Sequence, residues 1–141
     1  RARASAEAAG VAIEWVNADL LEWRPEPRSF DLVAVMFLHL PRHERRAVLA
    51  NAADAVAPGG RLVIVGHDRS NLIGGAGGPQ DPDVLFTPEE IAGDLADLAI
   101  ERAAVVARDV GDGRRALDAV VIGVRPAVGA RTTSPGGTHA G

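Results

Sequence analysis

The chain has 141 residues, the length of one domain, and 47% of them are hydrophobic, which excludes a wholly disordered polypeptide. It has no cysteine, so a disulfide scaffold, a cysteine-based zinc site and a thiol nucleophile are excluded. The net charge of −4 gives no electrostatic reason to bind nucleic acid or an anionic membrane in bulk, and the 15 cationic residues are all arginine, which excludes lysine Schiff-base and P-loop chemistry.

No run approaches the roughly 18 consecutive apolar residues of a membrane span. The amino end lacks the apolar segment of a signal peptide, so a cytoplasmic protein is expected. The first residue is Arg1, not methionine, which reads as a processed, trimmed or truncated chain.

Residues 1–9 are alanine-rich and read as the end of a helix closed by Gly10. Val11 to Val16 reads as a short strand, carrying Val11, Ile13, Trp15 and Val16. Asn17 to Ser29 reads as a connection, with a helical turn around Leu20 to Trp23. Phe30 to Leu38 is almost entirely apolar, the pattern of a parallel strand buried on both faces. Pro41 fits the first position of a helix whose Leu49, Ala52, Ala53 and Val56 share one face, with Arg46 and Asp54 away from it. Pro58-Gly59-Gly60 reads as the helix end and a turn. Arg61 to Gly66 reads as a second fully buried strand.

His67 to Phe86 is a long loop rich in Gly, Asp and Pro, a length that is often functional. Thr87-Pro88-Glu89-Glu90 is a helix start with a capping box, followed by an apolar stripe of Ile91, Leu95 and Leu98. Ile100 to Arg108 and Arg115 to Arg125 read as two strands of a hairpin. Residues 129–141 have no hydrophobic pattern and read as a disordered tail. The whole is an α/β fold: parallel strands covered by helices, then a terminal antiparallel hairpin. The expected division is a partial domain over 1–125 and a disordered tail over 126–141.

In an open α/β sheet, ligands bind outside the carboxyl ends of the strands. Asp19 follows the first expected strand. Its carboxylate either accepts from an exocyclic amine of a base, with the Leu20 N–H donating to a ring nitrogen, or caps the turn at Leu20 to Trp23. His39 follows the second. It is a base, a substrate donor or a ligand, or else a partly buried histidine bonded to backbone. The spacing of His39 and His43 beside Glu44 looks like a metal helix, but Pro41 lies between them, and no metal is expected. His67, Asp68, Arg69, Ser70 and Asn71 follow the third strand, where they either hold a substrate head group or form a solvated loop entry. No Gly-x-Ser-x-Gly elbow surrounds Ser70. Gly74 to Gly78 lacks the phosphate-loop spacing and reads as a hinge or lid.

Trp15-Val16-Asn17-Ala18-Asp19-Leu20, then Phe30-Asp31-Leu32-Val33, then Ala57-Pro58-Gly59-Gly60-Arg61-Leu62-Val63-Ile64-Val65, resemble class I S-adenosylmethionine-dependent methyltransferases. Gly77 to Glu90 is similar to their small-molecule branch, loosely the tellurite-resistance and thiopurine methyltransferase-like proteins. The resemblance spans about residues 1–125. It implies a Rossmann-like methyltransferase sheet, S-adenosylmethionine as cofactor and a small-molecule acceptor. It implies that Asp19, Leu20 and Phe37 contact the cofactor, with Met36 behind Phe37. It implies that His39, His67, Asp68, Arg69 and Asn71 face the acceptor, with His39 or His67 as general base.

The family's glycine-rich cofactor loop and its ribose-binding acidic residue have no counterpart in the sequence. The chain therefore resembles the carboxyl-terminal portion of such an enzyme. The alternative is a non-catalytic fragment that needs a partner or an upstream segment. A third reading, a dehydrogenase-like Rossmann domain, is opposed by the terminal hairpin. The acceptor atom and the oligomeric state are not specified by these residues.

Overall fold

A computed structural model describes residues 2–127. The expected tail over 126–141 lies outside the described residues from position 128 onward.

Helix α1 spans Ala2–Ala8. Gly10, at φ +65°, ends it. The Gly10 N–H donates to Glu7 O at 3.1 Å and the Val11 N–H donates to Ala6 O at 3.1 Å. This is the Schellman pair, which satisfies two carbonyls that the helix end leaves open. The strand expected over Val11 to Val16 does not form. Val11, Ile13 and Val16 are each about half exposed or more, and among the described residues no strand runs beside them. β-branched residues favour a strand only where a neighbouring strand takes up the backbone groups. A turn follows at Asp19, whose carbonyl accepts from the Trp23 N–H at 2.7 Å.

Strand β1 spans Phe30–Met36, helix α2 spans Arg42–Ala55 and strand β2 spans Val56–His67. Pro41 is the N-cap of α2 rather than its first residue. Pro58 to Gly60 is not a turn. It is an irregular stretch inside β2, where the β1 register jumps from Phe30↔Val56 to Leu32↔Arg61. Helix α3 is the short turn Asn71–Gly74, and helix α4 spans Pro88–Asp94. Strands β3 (Ala99–Gly111) and β4 (Arg114–Val124) close the chain. Asp112 and Gly113, both at positive φ, make the two-residue turn between them.

The sheet order is β1-β2-β4-β3. β1 and β2 are parallel, and β4 runs antiparallel to both β2 and β3. β4 therefore inserts between β2 and its own hairpin partner. Leu62 and Ile64 of β2 and Ala119 and Val121 of β4 face Leu49, Ala52 and Ala53 of α2 and Ile91 of α4. Val33 and Val35 of β1 pack at the margin of this core. At its carboxyl end α2 is closed by Arg125, whose buried guanidinium donates to Ala53 O at 2.8 Å and Val56 O at 2.9 Å.

The expectation that β1 and β2 are buried on both faces is not met. β1 has β2 on one side and, among the described residues, no strand on the other. Leu32 and Met36 are 61% and 52% exposed. β2 alternates, with Leu62 and Ile64 in the core and Val63 and Val65 half-buried on the opposite face. Continuous apolar runs signal burial on both faces only when both faces are covered. Here α2 and α4 cover one.

The Thr87 capping box forms as the sequence predicts. Thr87 Oγ1 accepts from the Glu90 N–H at 3.3 Å, and Glu90 Oε2 accepts from the Thr87 N–H at 3.2 Å. Thr87→Ala removes half of this exchange. It is expected to cost about 0.5–2 kcal/mol, read as a lower thermal midpoint with an unchanged circular-dichroism spectrum.

Candidate functional site

The site lies on the sheet face opposite the helices, at the carboxyl ends of β1 and β2. In the β2–β4 register, His67 faces Asp118, and the preceding pairs on that face are Val65↔Val120 and Val63↔Ile122. Met36 of β1 lies beside Val65, so the residues after Met36 arrive next to His67. Phe37 turns the chain at φ +53°, while its N–H still donates to Val65 O at 2.7 Å. A bulky residue in the left-handed region is an outlier, and such strain concentrates at functional positions.

Three rings meet there. His39 and His67 stack with centroids 5.4 Å apart and planes 8° from parallel. Phe37 tilts against both, 5.3 Å from His67 and 6.4 Å from His39. The Arg108 guanidinium of β3 sits 5.3 Å from the Phe37 ring centroid. Behind His67, Asp118 Oδ1 lies 3.0 Å from Nδ1, and Asp118 Oδ2 accepts from Arg108 Nε at 2.6 Å. His67 and Asp118 are both buried. The Nδ1–H direction misses the line to Oδ1, so this contact has ion-pair distance without hydrogen-bond alignment. Gly78, at φ +79°, roofs the ring: a Cβ at that position would lie 2.5 Å from His67 Cδ2 and 2.8 Å from Nε2.

Burial, and then the neighbouring His67, hold His39 below the ordinary histidine value. Its Nε2 is buried with no partner. A depressed value in the folded state means that the unfolded chain binds the proton more tightly. The stability contributed by neutral His39 is therefore complete above about pH 6.5 and is lost as pH falls through the folded-state value. His39→Gln is expected to flatten the loss of urea midpoint between about pH 7.5 and pH 5. An unchanged slope would remove His39 from that account.

The residues expected at the site separate into three groups. Phe37, His39 and His67 come together. Leu20 lies elsewhere, in an apolar groove of about 430 Å³ along the free edge of β1, with Trp23, Leu32, Met36, Leu38 and Asn51 among its lining residues. Asp19 flanks it and caps its own turn, Oδ1 accepting from the Leu21 N–H at 2.9 Å. Asp68, Arg69 and Asn71 are engaged by the protein. Asp68 Oδ1 accepts from the Ser70 N–H and hydroxyl, and Arg69 pairs with Glu90 at 3.1 Å. Asn71 donates to Gly77 O and accepts from the Leu117 N–H, both at 2.8 Å. It thereby ties the glycine loop to β4.

Sequence reading missed Asp118 and Arg108. The available signal was an aspartate inside the apolar run Ala116 to Val124. Such a charge is buried only with a partner. His43 lies 3.8 Å from Glu44 on the surface, and His39 precedes α2. Among the described residues no helix is long and apolar enough to cross a membrane.

Comparison with known proteins supplies the class of fold. Residues 1–60 match the family described as "Methyltransferase domain". No curated protein matches the chain. Among solved structures it is similar to a SAM-dependent methyltransferase of Methanosarcina mazei, at 16% identity and a TM-score of 0.58, over 78% of this chain and 66% of that one. It is similar to N-methyltransferase NodS of Bradyrhizobium japonicum, at 18% identity and a TM-score of 0.63, over 89% of this chain and 67% of that one. It is also similar to TehB of Haemophilus influenzae, at 14% identity and a TM-score of 0.65, over 87% of this chain and 44% of that one. The chain thus spans about two thirds or less of these structures. Its fold is the Rossmann-like methyltransferase fold.

Proposed function

We propose that this chain takes part in S-adenosylmethionine-dependent methyl transfer to a small-molecule acceptor, its residues 1–125 forming part of a complete methyltransferase domain. The observation that carries the reading is the stacked His39–His67 pair at the carboxyl ends of β1 and β2, in a methyltransferase-type sheet. NodS was also solved with S-adenosylhomocysteine, which supports that cofactor here.

The residues present fit the flat apolar part of such a cofactor. Leu20, Met36 and Leu38 line the groove at its strand-end side, and Asn51 brings an amide nitrogen that is buried without a partner. Asp19 and Leu20 are assigned to the adenine and Phe37 to the cofactor's flank. Bound there, the cofactor would supply a sulfonium methyl to the acceptor lone pair, with the sulfur as leaving group. His39 and His67 are assigned to the acceptor, and Asp68, Arg69 and Asn71 to the loop that bounds it. Alignment of the acceptor is the main contribution of such a site.

The second reading, a non-catalytic chain that another polypeptide completes, is favoured by the open edge of β1, where Leu32 is 61% exposed.

Calorimetric titration with S-adenosylhomocysteine separates the two. Methyl transfer predicts saturable binding in the micromolar range, weakened about tenfold by Asp19→Ala, in line with the roughly 1–3 kcal/mol of a lost hydrogen bond. A folded chain that takes up none overturns the catalytic reading and favours the second.

A further inference from the structure

Asp118 sits in the third of four strands and joins groups from two others. Its register partner on β2 is His67, and Arg108 of β3 lies diagonally across from it. Arg108 Nε donates to one carboxylate oxygen at 2.6 Å, and the other, which also accepts from Arg108 Nη2 at 3.5 Å, stands 3.0 Å from His67 Nδ1. The charged and titratable groups around His67 are then Asp118 from β4, Arg108 from β3 and His39 from the β1 exit. Asp68, the next residue in the chain, turns its Oδ1 to Ser70 instead. The opposite edge of the His67 ring, with Cδ2 and Nε2, lies under Gly78.

A neutral imidazole carries its proton on one nitrogen, and the groups beside the ring decide which. A carboxylate 3.0 Å from Nδ1 attracts a proton there and repels a lone pair. The attraction does not require hydrogen-bond alignment, because it acts between charge and dipole. We propose that Asp118 is a positioning residue for His67: it keeps the proton of the neutral ring on Nδ1 and leaves Nε2, beneath the glycine loop, as the proton-accepting atom. Arg108 holds Asp118 in place from the far side.

The inference rests on the methyl-transfer reading for its use. An acceptor atom that starts with a proton, such as a hydroxyl, gives that proton to Nε2 as its electron pair goes to the new bond. The acceptor class is therefore one whose nucleophilic atom carries a proton to lose.

The test needs neither cofactor nor acceptor, so its failure is distinct from failure of the methyl-transfer reading. The full chain is labelled with ¹⁵N-histidine, and the His67 ring nitrogens are assigned by their loss in His67→Gln. At about pH 8, where an ordinary histidine is neutral, the two ring shifts report the tautomer. The Nδ1–H form is expected to dominate. In Asp118→Asn, which keeps the shape and removes the charge, its share is expected to fall at least twofold while the backbone amide spectrum is retained. In Arg108→Gln, which keeps the carboxylate but frees it from β3, the Nδ1–H share is expected to fall by less; this variant stands in if Asp118→Asn does not fold, and an unchanged share there also overturns the proposal. A dominant Nε2–H form in the unaltered chain overturns the proposal. So does an Asp118→Asn spectrum with the Nδ1–H share unchanged.

Discussion

Phe86→Ala is expected to cost about 3–5 kcal/mol, because it truncates the largest of the fully buried side chains. The Phe86 ring is 2% exposed and lies in the core between the sheet and α4. It packs directly on the backbone of β2: a Cβ on Gly66 would come within 2.5 Å of its Cζ. The Arg45 guanidinium covers the ring at 5.0 Å from its centroid. Arg45 is itself buried, and burial lowers its affinity for a proton. Removing the ring therefore opens a cavity and takes away an aromatic face from a buried cation. Domains of this size are held by about 5–15 kcal/mol in all, so the variant loses a large part of its margin. Urea unfolding reads the effect directly, and a loss below about 1 kcal/mol would contradict this account of the core.

Asn71→Ala is expected to act on the loop over His67. The side chain is 3% exposed and makes two hydrogen bonds of 2.8 Å, to Gly77 O and from the Leu117 N–H. Alanine leaves the Leu117 N–H of β4 and a loop carbonyl without those partners. Each group buried unsatisfied costs about 1–3 kcal/mol, and the loop recovers part of this by reaching water. The expected result is a net loss of about 2 kcal/mol, with faster amide hydrogen exchange at Ala76 and Leu117. The Ala76 N–H donates to Arg115 O at 2.9 Å, so it reports whether the loop still docks on β4. Exchange rates equal to those of the unaltered chain would show that the loop is held by something else. Asn71 is thus tied to the site through Gly77 and Gly78, not by pointing its amide at a ligand.

The parts of the fold legible in the sequence are those fixed by neighbours in the chain. Gly10 ends α1 because a local hydrogen-bond pair needs a left-handed residue there. Thr87 and Glu90 start α4 by a reciprocal exchange three residues apart. Asp112-Gly113 makes the hairpin because two residues at positive φ match the twist of the strands. What failed depended on distant partners. Val11 to Val16 has the residue types of a strand, but among the described residues no strand pairs with it. β1 has the composition of a doubly covered strand, yet one edge and much of one face stay open.

The site divides in the same way. His39 and His67 were legible one by one, as polar residues just past apolar strands. That they stack follows from the parallel register that sets Met36 beside Val65, which no local pattern encodes. Asp118 and Arg108 were missed because they reach His67 from the hairpin. Their role depends on the antiparallel pairing of β4 with both β2 and β3.

The most direct test of the central claim is a map of backbone amide shifts in the ¹⁵N-labelled chain as S-adenosylhomocysteine is added. The account predicts concentrated shifts at Leu20, Phe37, His39 and the Gly66–His67 strand end, and at Asn51 where α2 lines the groove, with α4 unmoved. Shifts confined to other surfaces, or none from a folded chain at millimolar ligand, would contradict it.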